Sequence, residues 1–402
     1  MISRSAADHG GQPDIVCVSP NHWSGLSTSK KHLMQVLAHQ GRVLFVEPPI
    51  DVFSTLGRRR RWPKLRGLRR AGDGPWVLPS VTWATSGTTA WKRRFHSDHV
   101  RAVVGASRRL ELDRPVLWAF APEHLEYVGG VGESLVVYQV ADEPASLARD
   151  EQATRAADRE MTDRADVVFA VSRELAERRR APGKTHVLRN AADRTHYARV
   201  LAGDGAAGVD AFVAGLARSR RPGELRGARG PVVLFGGAAY DWFDTDLLTG
   251  VATLRPGCTF VLVGPKGDGL RRARLPSNVV SIGRRTYDEF PGFVASADAT
   301  FMPVRRGETF ETCDPIVVYE YLLCGKQVVA TPFPAALEHG ALVRTADGVE
   351  AFAEQIDEAL GVALDEGEIR RRVEYGFANT WEDRAARAMS VIEEAVGGQE
   401  DG

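Results

Sequence analysis

Residues 314–334 read DPIVVYEYLLCGKQVVATPFP, and their order and types suit the binding of a phosphorylated ligand. Asp314-Pro315 is a turn dipeptide, the apolar helix after it carries one carboxylate, Glu320, and Gly325 ends that helix before a short apolar strand. In a parallel sheet this order puts the helix N-terminus at the ligand-binding edge, where backbone N–H groups and the helix dipole attract phosphate. Glu320, about one and a half turns into the helix, suits a sugar hydroxyl. The pattern predicts a nucleotide-sugar site, but it also occurs in α/β proteins that bind nothing there.

The composition is typical of a globular protein with two domains. At 402 residues the chain exceeds the size of one ordinary hydrophobic core. Lys+Arg (52) and Asp+Glu (52) balance, so we expect no nucleic-acid partner. The four cysteines lack metal-ligand spacing, and Cys17 and Cys258, in apolar surroundings, are expected to be reduced core residues, which favours a cytoplasmic location. The sequence shows no signal-peptide core and no apolar run near ~18 residues, so we expect no membrane span.

Short apolar runs alternate with amphipathic segments, which predicts a parallel α/β architecture. We expect a Rossmann-like, doubly wound domain over residues 1–200, a linker over residues 201–230, and a second such domain over residues 231–380. Residues 381–402 are expected to form a C-terminal helix. Two such domains would face a cleft that holds the ligand. The predicted strands are residues 15–18, 43–46, 116–119, 135–138, 167–171, 232–235, 259–263, 279–282, 299–302 and 327–330; the predicted helices are residues 30–39, 209–217, 246–254, 287–295, 316–323, 349–360 and 384–396.

Several motifs occur in the order and spacing of one enzyme family. Residues 314–329 resemble the signature (N/D)-P-L-K-L-(F/Y)-E-Y-L-A-x-G-K-P-V-V of the GT-B glycosyltransferases, in particular the family 4-like, group 1 type of bacterial teichuronic-acid and exopolysaccharide biosynthesis. Gly236-Gly237 followed by Trp242-Phe243-Asp244 resembles the glycine turn and W-F-D segment of that family. The matching signature positions are Asp314, Pro315, Tyr319, Glu320, Tyr321, Leu322, Gly325, Lys326, Val328 and Val329.

The resemblance implies a fold and a reaction. The fold would be GT-B, with an N-terminal domain for the acceptor, a second domain for the donor, and a C-terminal helix that packs back on the first domain. The reaction would move a sugar, with retention, from a nucleotide-diphosphate donor to a glycan, lipid-linked or natural-product acceptor. It would need no divalent metal and no other cofactor.

The resemblance also assigns donor-binding roles by position. Glu320 matches the glutamate that holds the donor ribose. Arg284 and Tyr287 match the loop that meets the nucleotide base, and Gly237 matches a position that lines the phosphate cleft. The remaining donor-binding positions are Ser24 and Gly25, in the N-terminal loop that crosses the cleft toward the diphosphate, and Cys313, Asp314, Pro315 and Ile316, in the turn for donor phosphates and sugar hydroxyls.

Three positions depart from the family pattern. Thr312 stands where many relatives carry a glutamate, Val317 where they carry a lysine, and Gln139 where they carry an aspartate. The Arg and Lys pair that neutralises the diphosphate in many relatives is not evident after Gly237. Arginines that could supply that charge are Arg284, Arg285, Arg305 and Arg306. The departures keep two other functions open, a sugar-nucleotide epimerase of the same fold and a non-catalytic nucleotide-sugar-binding protein.

Two residues that follow predicted strands are candidates for catalysis. His124 comes after the strand that ends at Ala119, and Asp142 comes after the strand at residues 135–138. Because ligands bind at the carboxyl ends of parallel strands, both would face the ligand. His124 could hydrogen-bond a sugar hydroxyl or relay a proton, and Asp142 could orient the acceptor or the donor sugar. The alternatives are a surface histidine that caps a helix and an exposed acidic turn.

A basic segment at residues 57–70 reads GRRRRWPKLRGLRR and contains no acidic residue. Trp62, Leu65 and Leu68 alternate with the charges between Arg58 and Arg70, and such mixtures bind anionic lipid surfaces. We expect either that this segment holds the protein on the inner face of the plasma membrane, or that it is a solvated loop.

Overall fold

The computed structural model describes residues 12–25, 27–51, 67–82, 89–148, 150–179, 181–204 and 208–400. The chain divides into two units. The first unit runs to Arg189 and resumes at Arg384, and the second unit is Asn190–Asp383.

The strands described in the first unit form an eight-stranded sheet in the order β3-β4-β2-β1-β5-β6-β7-β8. All neighbours pair parallel except β3 and β4. The strands are β1 Ile15–Val18, β2 Val43–Asp51, β3 Arg69–Arg70, β4 Trp76–Thr82, β5 Val116–Ala119, β6 Leu135–Val140, β7 Val167–Ala170 and β8 Thr185–Val187. The helices are α1 Ser29–Gln40, α2 Thr89–Arg109, α3 Glu151–Arg164 and α4 Arg173–Arg178, with 3-10 turns at Pro122–Tyr127 and Pro144–Leu147.

The central strands of this sheet are apolar at successive positions because helices cover both of its faces. Val16 and Leu117 pack with Val103 of α2 on one face. Tyr138 and Val168 pack with Met161 of α3 on the same face, because the register aligns them with the neighbours of Leu117. The opposite face carries the side chains that alternate with these, and they are also fully buried: Cys17, Trp118 and Phe169. Continuous apolar runs are the pattern expected of a parallel sheet buried on both sides.

The second unit has a six-stranded parallel sheet within the described residues, in the order β11-β10-β9-β12-β13-β14. Numbered along the chain, this is the 3-2-1-4-5-6 order of doubly wound nucleotide-binding folds. The strands are β9 Val232–Gly236, β10 Thr259–Val263, β11 Val279–Gly283, β12 Ala299–Met302, β13 Gln327–Ala330 and β14 Val343–Thr345. The helices of this unit are α5 Arg194–Ala202, α6 Val209–Arg218, α7 Thr245–Leu254, α8 Asp268–Arg272, α9 Phe290–Ala295, α10 Glu308–Thr312, α11 Ile316–Leu323, α12 Pro334–Glu338, α13 Val349–Gly361 and α14 Glu366–Phe377. The last helix, α15 Trp381–Glu400, lies mostly in the part of the first unit that resumes at Arg384. The expected α/β class with doubly wound sheets is confirmed.

The division of the chain differs from the sequence-based boundaries at residues 200 and 230. The side chains of Tyr197, Phe212 and Leu225 are fully buried in the core of the second unit, so residues expected to end one domain and form a linker contribute to that core. Gly215 of α6 lies against Ala202 of α5 so closely that an added Cβ would meet the Ala202 methyl at 2.4 Å. The glycines and alanines that favoured a linker here include residues that let these two helices approach.

Each sheet has a point where the chain reverses its direction of winding. In the first unit this point lies between β1 and β5, and in the second unit between β9 and β12. The loops that leave the two strands diverge there, which opens a crevice at their carboxyl ends where ligands bind in such folds. None of the helices in the described parts of the chain is long and apolar enough to cross a membrane.

Candidate functional site

The crevice of the second unit begins at a glycine turn after β9. The Gly236 N–H donates to the Tyr321 hydroxyl at 2.7 Å, and the Gly237 N–H donates to the Val263 carbonyl at 2.9 Å. Gly264 has a φ of +146°, and a Cβ on it would lie 1.9 Å from the Gly237 carbonyl oxygen. This turn is therefore packed so tightly that a side chain at Gly264 cannot fit, and a ligand can reach bare backbone at Gly237.

Asp314 precedes α11 and holds its turn in place. Its carboxylate is 2% exposed and accepts hydrogen bonds from the Asn190 N–H at 2.7 Å and from the Tyr319 hydroxyl at 3.1 Å. The Asn190 side chain in turn donates to the Asp314 carbonyl. The side chain of this predicted donor-binding residue thus has a structural role.

The N-terminus of α11 carries the backbone donors that the sequence predicted for phosphate. Pro315 is the N-cap residue, Ile316 starts the helix, and no side chain caps it. Cys313 is the C-cap residue of α10, and its half-buried thiol donates to the Phe310 carbonyl at 3.9 Å. Residues 313–316 are consecutive in the chain and lie next to the carboxyl end of β12.

Glu320 is buried in the second turn of α11, beside residues from two other elements. Its side chain is 6% exposed and accepts a hydrogen bond from the Tyr287 hydroxyl at 3.5 Å. Burial raises the pKa of Glu320 to about 7, the charge of Asp193 adds to the rise, and the hydroxyls of Tyr197 and Tyr287 oppose it. Near neutral pH this carboxyl therefore exchanges easily between its acid and ionised forms.

Three of the residues around Glu320 were missed from the sequence, namely Asp193, His196 and Tyr197. Asp193 caps α5 by accepting from the His196 N–H at 3.0 Å. The His196 ring stacks on Tyr287 with ring centroids 4.2 Å apart, and its Nε2 lies 3.1 Å from the Tyr287 carbonyl oxygen. The available signal was an N-cap aspartate directly before an aromatic helix start. These contacts fix the orientation of the tyrosine next to Glu320.

The arginines differ in whether they have partners. Arg284 is exposed after β11. Arg285 is held by Glu224 at 2.9 Å, by the Ile282 carbonyl at 3.0 Å and over the Phe293 ring. Arg306 pairs with Asp347, and Arg305 lies 3.7 Å from Asp246. Arg284 and Arg305 are thus the arginines with most freedom to meet an anion.

A cavity of about 250 Å³ lies at the carboxyl ends of β12 and β13. Among its lining residues are Arg305, Gly307, Phe310 and Thr331. Thr312, one of the departures from the family pattern, is fully buried at the end of α10, and Val317 packs partly buried against the core. The lining of the cavity therefore carries arginine cations, the Glu311 carboxylate and the Thr331 hydroxyl near α10.

The first unit places Ser24 and Gly25 at its own switch point, in the loop after β1. Both residues are exposed, and the Gly25 N–H donates to the His22 carbonyl at 2.9 Å. The preceding Trp23 is buried, and its N–H donates to the Glu47 carboxylate at 2.9 Å. Trp23 anchors the loop and leaves the Ser24-Gly25 tip exposed.

His124 lies across that switch point, after β5, and is 6% exposed, so it is not the surface histidine of the alternative interpretation. Its Nδ1 accepts a hydrogen bond from the Phe120 N–H at 3.2 Å, which leaves the ring proton on Nε2. Burial lowers the pKa of His124 to about 3, with smaller contributions from Lys30 and His99. A neutral hydrogen-bond donor therefore fits this residue better than a proton relay.

Asp142 is exposed just beyond the end of β6, and the neighbouring Glu143 is buried in an ion pair with Arg178 at 3.4 Å. Gln139 is 2% exposed and accepts from the Trp118 indole N–H at 3.0 Å. A neutral amide at this departure position therefore completes a hydrogen bond inside the sheet.

Most of the basic segment, residues 57–66, lies outside the described residues. Its last two arginines form β3, where Arg69 lies 3.6 Å from Glu47 and Arg70 lies 3.4 Å from the Gly74 carbonyl. Across the described ranges, no three His, Cys, Asp or Glu side chains cluster as metal ligands would.

Residues 230–361 match the model of a family described as group 1 glycosyl transferases. These residues form a group 1 glycosyltransferase domain. The group 1 domain spans β9 to α13 and includes Gly237, Tyr287 and Glu320. TuaH of Bacillus subtilis (strain 168), whose name describes a glycosyltransferase of teichuronic acid biosynthesis, is 31% identical over 116 residues. That match covers 28% of this chain and 29% of TuaH.

Solved structures extend the similarity beyond the group 1 domain. Sucrose-phosphate synthase from Thermosynechococcus elongatus matches with a TM-score of 0.61 and 16% identity, over 96% of this chain and 100% of that one. Alr3699/HepE of Anabaena, in complex with UDP and glucose, matches with a TM-score of 0.59 and 18% identity, over 97% of this chain and 98% of that one. The catalytic domain of starch synthase IV from Arabidopsis thaliana, bound to ADP and acarbose, matches with a TM-score of 0.60 and 13% identity, over 96% and 100%. The chain has the GT-B fold of these glycosyltransferases.

Proposed function

We propose that this protein transfers a sugar from a nucleotide-diphosphate donor to an acceptor, with retention and without a divalent metal. The observation that carries the proposal is Glu320, buried at the switch point of a group 1 glycosyltransferase domain with Tyr287 held against it. A carboxylate in that position can accept two hydrogen bonds from a ribose.

In this proposal the remaining donor-binding residues contact different parts of the nucleotide. Arg284 and Tyr287 meet the base, and the Gly237 turn and the N-terminus of α11 meet the diphosphate. The uncapped start of α11 and the exposed Arg284 support these roles. Stabilisation of the leaving diphosphate by fixed N–H groups is a recognised source of catalysis in group transfer.

The acceptor proposal is a cell-surface glycan or its lipid-linked precursor. It is supported by the similarity to TuaH and by the composition of residues 57–70. The basic segment would then keep the protein at the inner face of the plasma membrane. Flotation with anionic and with neutral vesicles tests this, and equal flotation of the native chain and of a chain neutralised at Arg58, Arg59, Arg60 and Arg61 would rule it out.

The donor proposal is tested with a panel of UDP-, GDP- and dTDP-sugars, with and without a lipid acceptor, followed by nucleotide release. UDP-glucose is the first donor to try, because Alr3699/HepE was solved with it. We expect release only with an acceptor. Binding without release would point to a nucleotide-sugar-binding protein, and an altered donor sugar without acceptor would point to an epimerase.

Glu320→Ala should weaken nucleotide binding at least about tenfold, because a buried carboxylate is lost to the ribose. Glu354→Ala is the matched control, since Glu354 is an exposed carboxylate on α13 of the same unit. Unchanged affinity of Glu320→Ala, measured by calorimetry, would overturn the assignment of the donor site.

A further inference from the structure

Lys30 is the second residue of α1 and lies at the switch point of the first unit, where the sequence suggested no role for it. The position is electrostatically unfavourable for a lysine, because the positive end of the helix dipole is at the N-terminus. The first turn of α1 contains no acidic residue, and its N-cap residue Thr28 makes no side-chain cap. The helix start therefore presents positive charge and backbone donors with no built-in counter-charge.

The Lys30 ammonium is buried without a bonded partner. The side chain is 9% exposed, and among the described residues no carboxylate or carbonyl forms an ion pair or hydrogen bond with it. It lies 5.6 Å from the centre of the Phe120 ring, directly after β5. A buried ammonium normally acquires a paired anion or several acceptors, because desolvation of an isolated charge is costly.

The groups around Lys30 are suited to an anion. His124, neutral with its proton on Nε2, is close enough for Lys30 to lower its pKa further. The Cys17 thiol lies near Lys30 within the core, and burial raises its pKa, so it stays uncharged. Asp142 acts on Lys30 at longer range, but it is exposed to water and forms no ion pair with it. Burial lowers the pKa of Lys30, whereas both Asp142 and Cys17 favour the charged ammonium.

We propose that Lys30, with the N-terminus of α1, binds a phosphate group of one of the two substrates. The inference rests on the proposed transfer reaction and adds a substrate-binding residue in the first unit. Two sources share this chemistry, namely the diphosphate of the nucleotide-sugar and the phosphate of a lipid-linked acceptor. The Lys30 ammonium is desolvated on folding, so binding of a phosphate does not require a second desolvation of this charge. Its attraction to a phosphate should therefore be stronger than that of an exposed lysine.

The test uses the full chain and inorganic pyrophosphate, titrated by calorimetry into the native protein, Lys30→Met and Lys31→Met. Lys31 is the matched control, because it is adjacent, less buried and lies over the Trp23 ring at 5.5 Å. We expect Lys30→Met to bind pyrophosphate about tenfold or more weakly, and Lys31→Met to bind within about twofold of the native protein. Equal binding by the native protein and Lys30→Met overturns the proposal.

Thermal unfolding without ligand separates binding from packing. Lys30→Met should unfold at the same or a higher temperature than the native protein, because it removes an unpaired buried charge. A lower midpoint together with unchanged pyrophosphate affinity identifies Lys30 as a packing residue and overturns the proposal. If Lys30→Met does not fold, Lys30→Gln replaces it, and native-like pyrophosphate binding by Lys30→Gln overturns the proposal equally.

Two further titrations distinguish the source of the phosphate. A loss of UDP or GDP affinity in Lys30→Met assigns Lys30 to the donor, and a loss of affinity only for a polyprenyl phosphate in micelles assigns it to the acceptor. If only pyrophosphate binding changes, the site holds an adventitious ion only and the proposal fails. Turnover distinguishes this inference from the proposed function. No turnover with any donor refutes the function, whereas turnover with a native KM for both substrates in Lys30→Met refutes only the role of Lys30.

Discussion

Glu320 shows how one side chain gains a functional environment from burial. A helix of apolar residues carries a single carboxylate into the core, where two tyrosines and Asp193 surround it. The carboxyl is kept near the midpoint of its titration at neutral pH, since its pKa is about 7. A bound ribose would add hydrogen bonds that favour the ionised form and so lower this pKa.

Glu320→Gln should stabilise the fold at alkaline pH while it weakens nucleotide binding. The unfolded carboxyl ionises near the usual 4.5, but the folded one ionises near 7, so native stability falls between these two pH values. Glutamine does not ionise, so the variant avoids this loss of stability. Its free energy of unfolding should exceed that of the native protein by on the order of 3 kcal/mol above pH 7, and should differ little at pH 4. Denaturant titrations at both pH values measure this. An equal change in free energy of unfolding at both pH values would contradict the raised pKa of Glu320.

His124→Gln should keep most of the activity, and His124→Phe should lower kcat/KM by about five- to tenfold. Glutamine retains a neutral N–H donor, whereas phenylalanine removes it, and one neutral hydrogen bond contributes about 1 kcal/mol. Since the pKa of His124 is about 3, the pH profile of kcat/KM between about pH 5 and 8 should have the same shape in the native enzyme and in His124→Gln. Loss of an acidic limb in His124→Gln would show that His124 titrates.

Motif residues were easier to predict than their partners. Glu320 and the turn before α11 stand out because a helix stop, a strand and one carboxylate follow one another closely. Tyr287 donates to Glu320 from 33 positions away, and Asp314 bonds to Asn190 from 124 positions away. Short-range patterns contain no information on such pairings, so the structural role of Asp314 was not visible in them.

At the scale of elements, the turns after β9 and β10 form one unit through their glycines. Gly264→Ala should disrupt this unit and lower the free energy of unfolding by about 3 kcal/mol or more. A methyl group there would overlap the Gly237 carbonyl, and the φ of +146° is itself unfavourable for alanine. Chemical denaturation measures the loss.

The control for this substitution is Gly269→Ala. Gly269 lies in α8 with open space around it and has no positive φ, so alanine should be neutral or slightly stabilising there. Similar destabilisation by both substitutions would show that the close approach at Gly264 is not the cause.

Strand prediction succeeded where strands are continuous apolar runs. β1, β5, β10, β12 and β13 have the predicted bounds. Four strands were missed, and each lies at a sheet edge or next to one: β3, β4, β8 and β14. β4 also contains Pro79, which argues against a strand in any local analysis. Its pairing with β2 is tertiary information.

At the scale of the whole molecule, the boundary between the units is the testable feature. Phe212→Ala should destabilise the protein by about 3–5 kcal/mol, because Phe212 is fully buried among residues of the second core. Arg218→Ala, an exposed position on the same helix, should change stability by less than about 0.5 kcal/mol. Calorimetric unfolding of both variants distinguishes a core segment from a linker, in which neither substitution would matter.

The sequence by itself determined the α/β class, the central strands and the residues of the nucleotide-sugar motif. These follow from local apolar periodicity, helix stops and the type of residue at each strand end, all of which are encoded within a few neighbouring positions. The tertiary structure decided where the chain divides, which arginines are paired and that His124 is neutral. It also decided that Lys30 is buried over the Phe120 ring, with no ion pair among the described residues. Those properties depend on desolvation and on contacts between elements distant in sequence, because charge and burial are set by the surroundings a side chain meets only after folding.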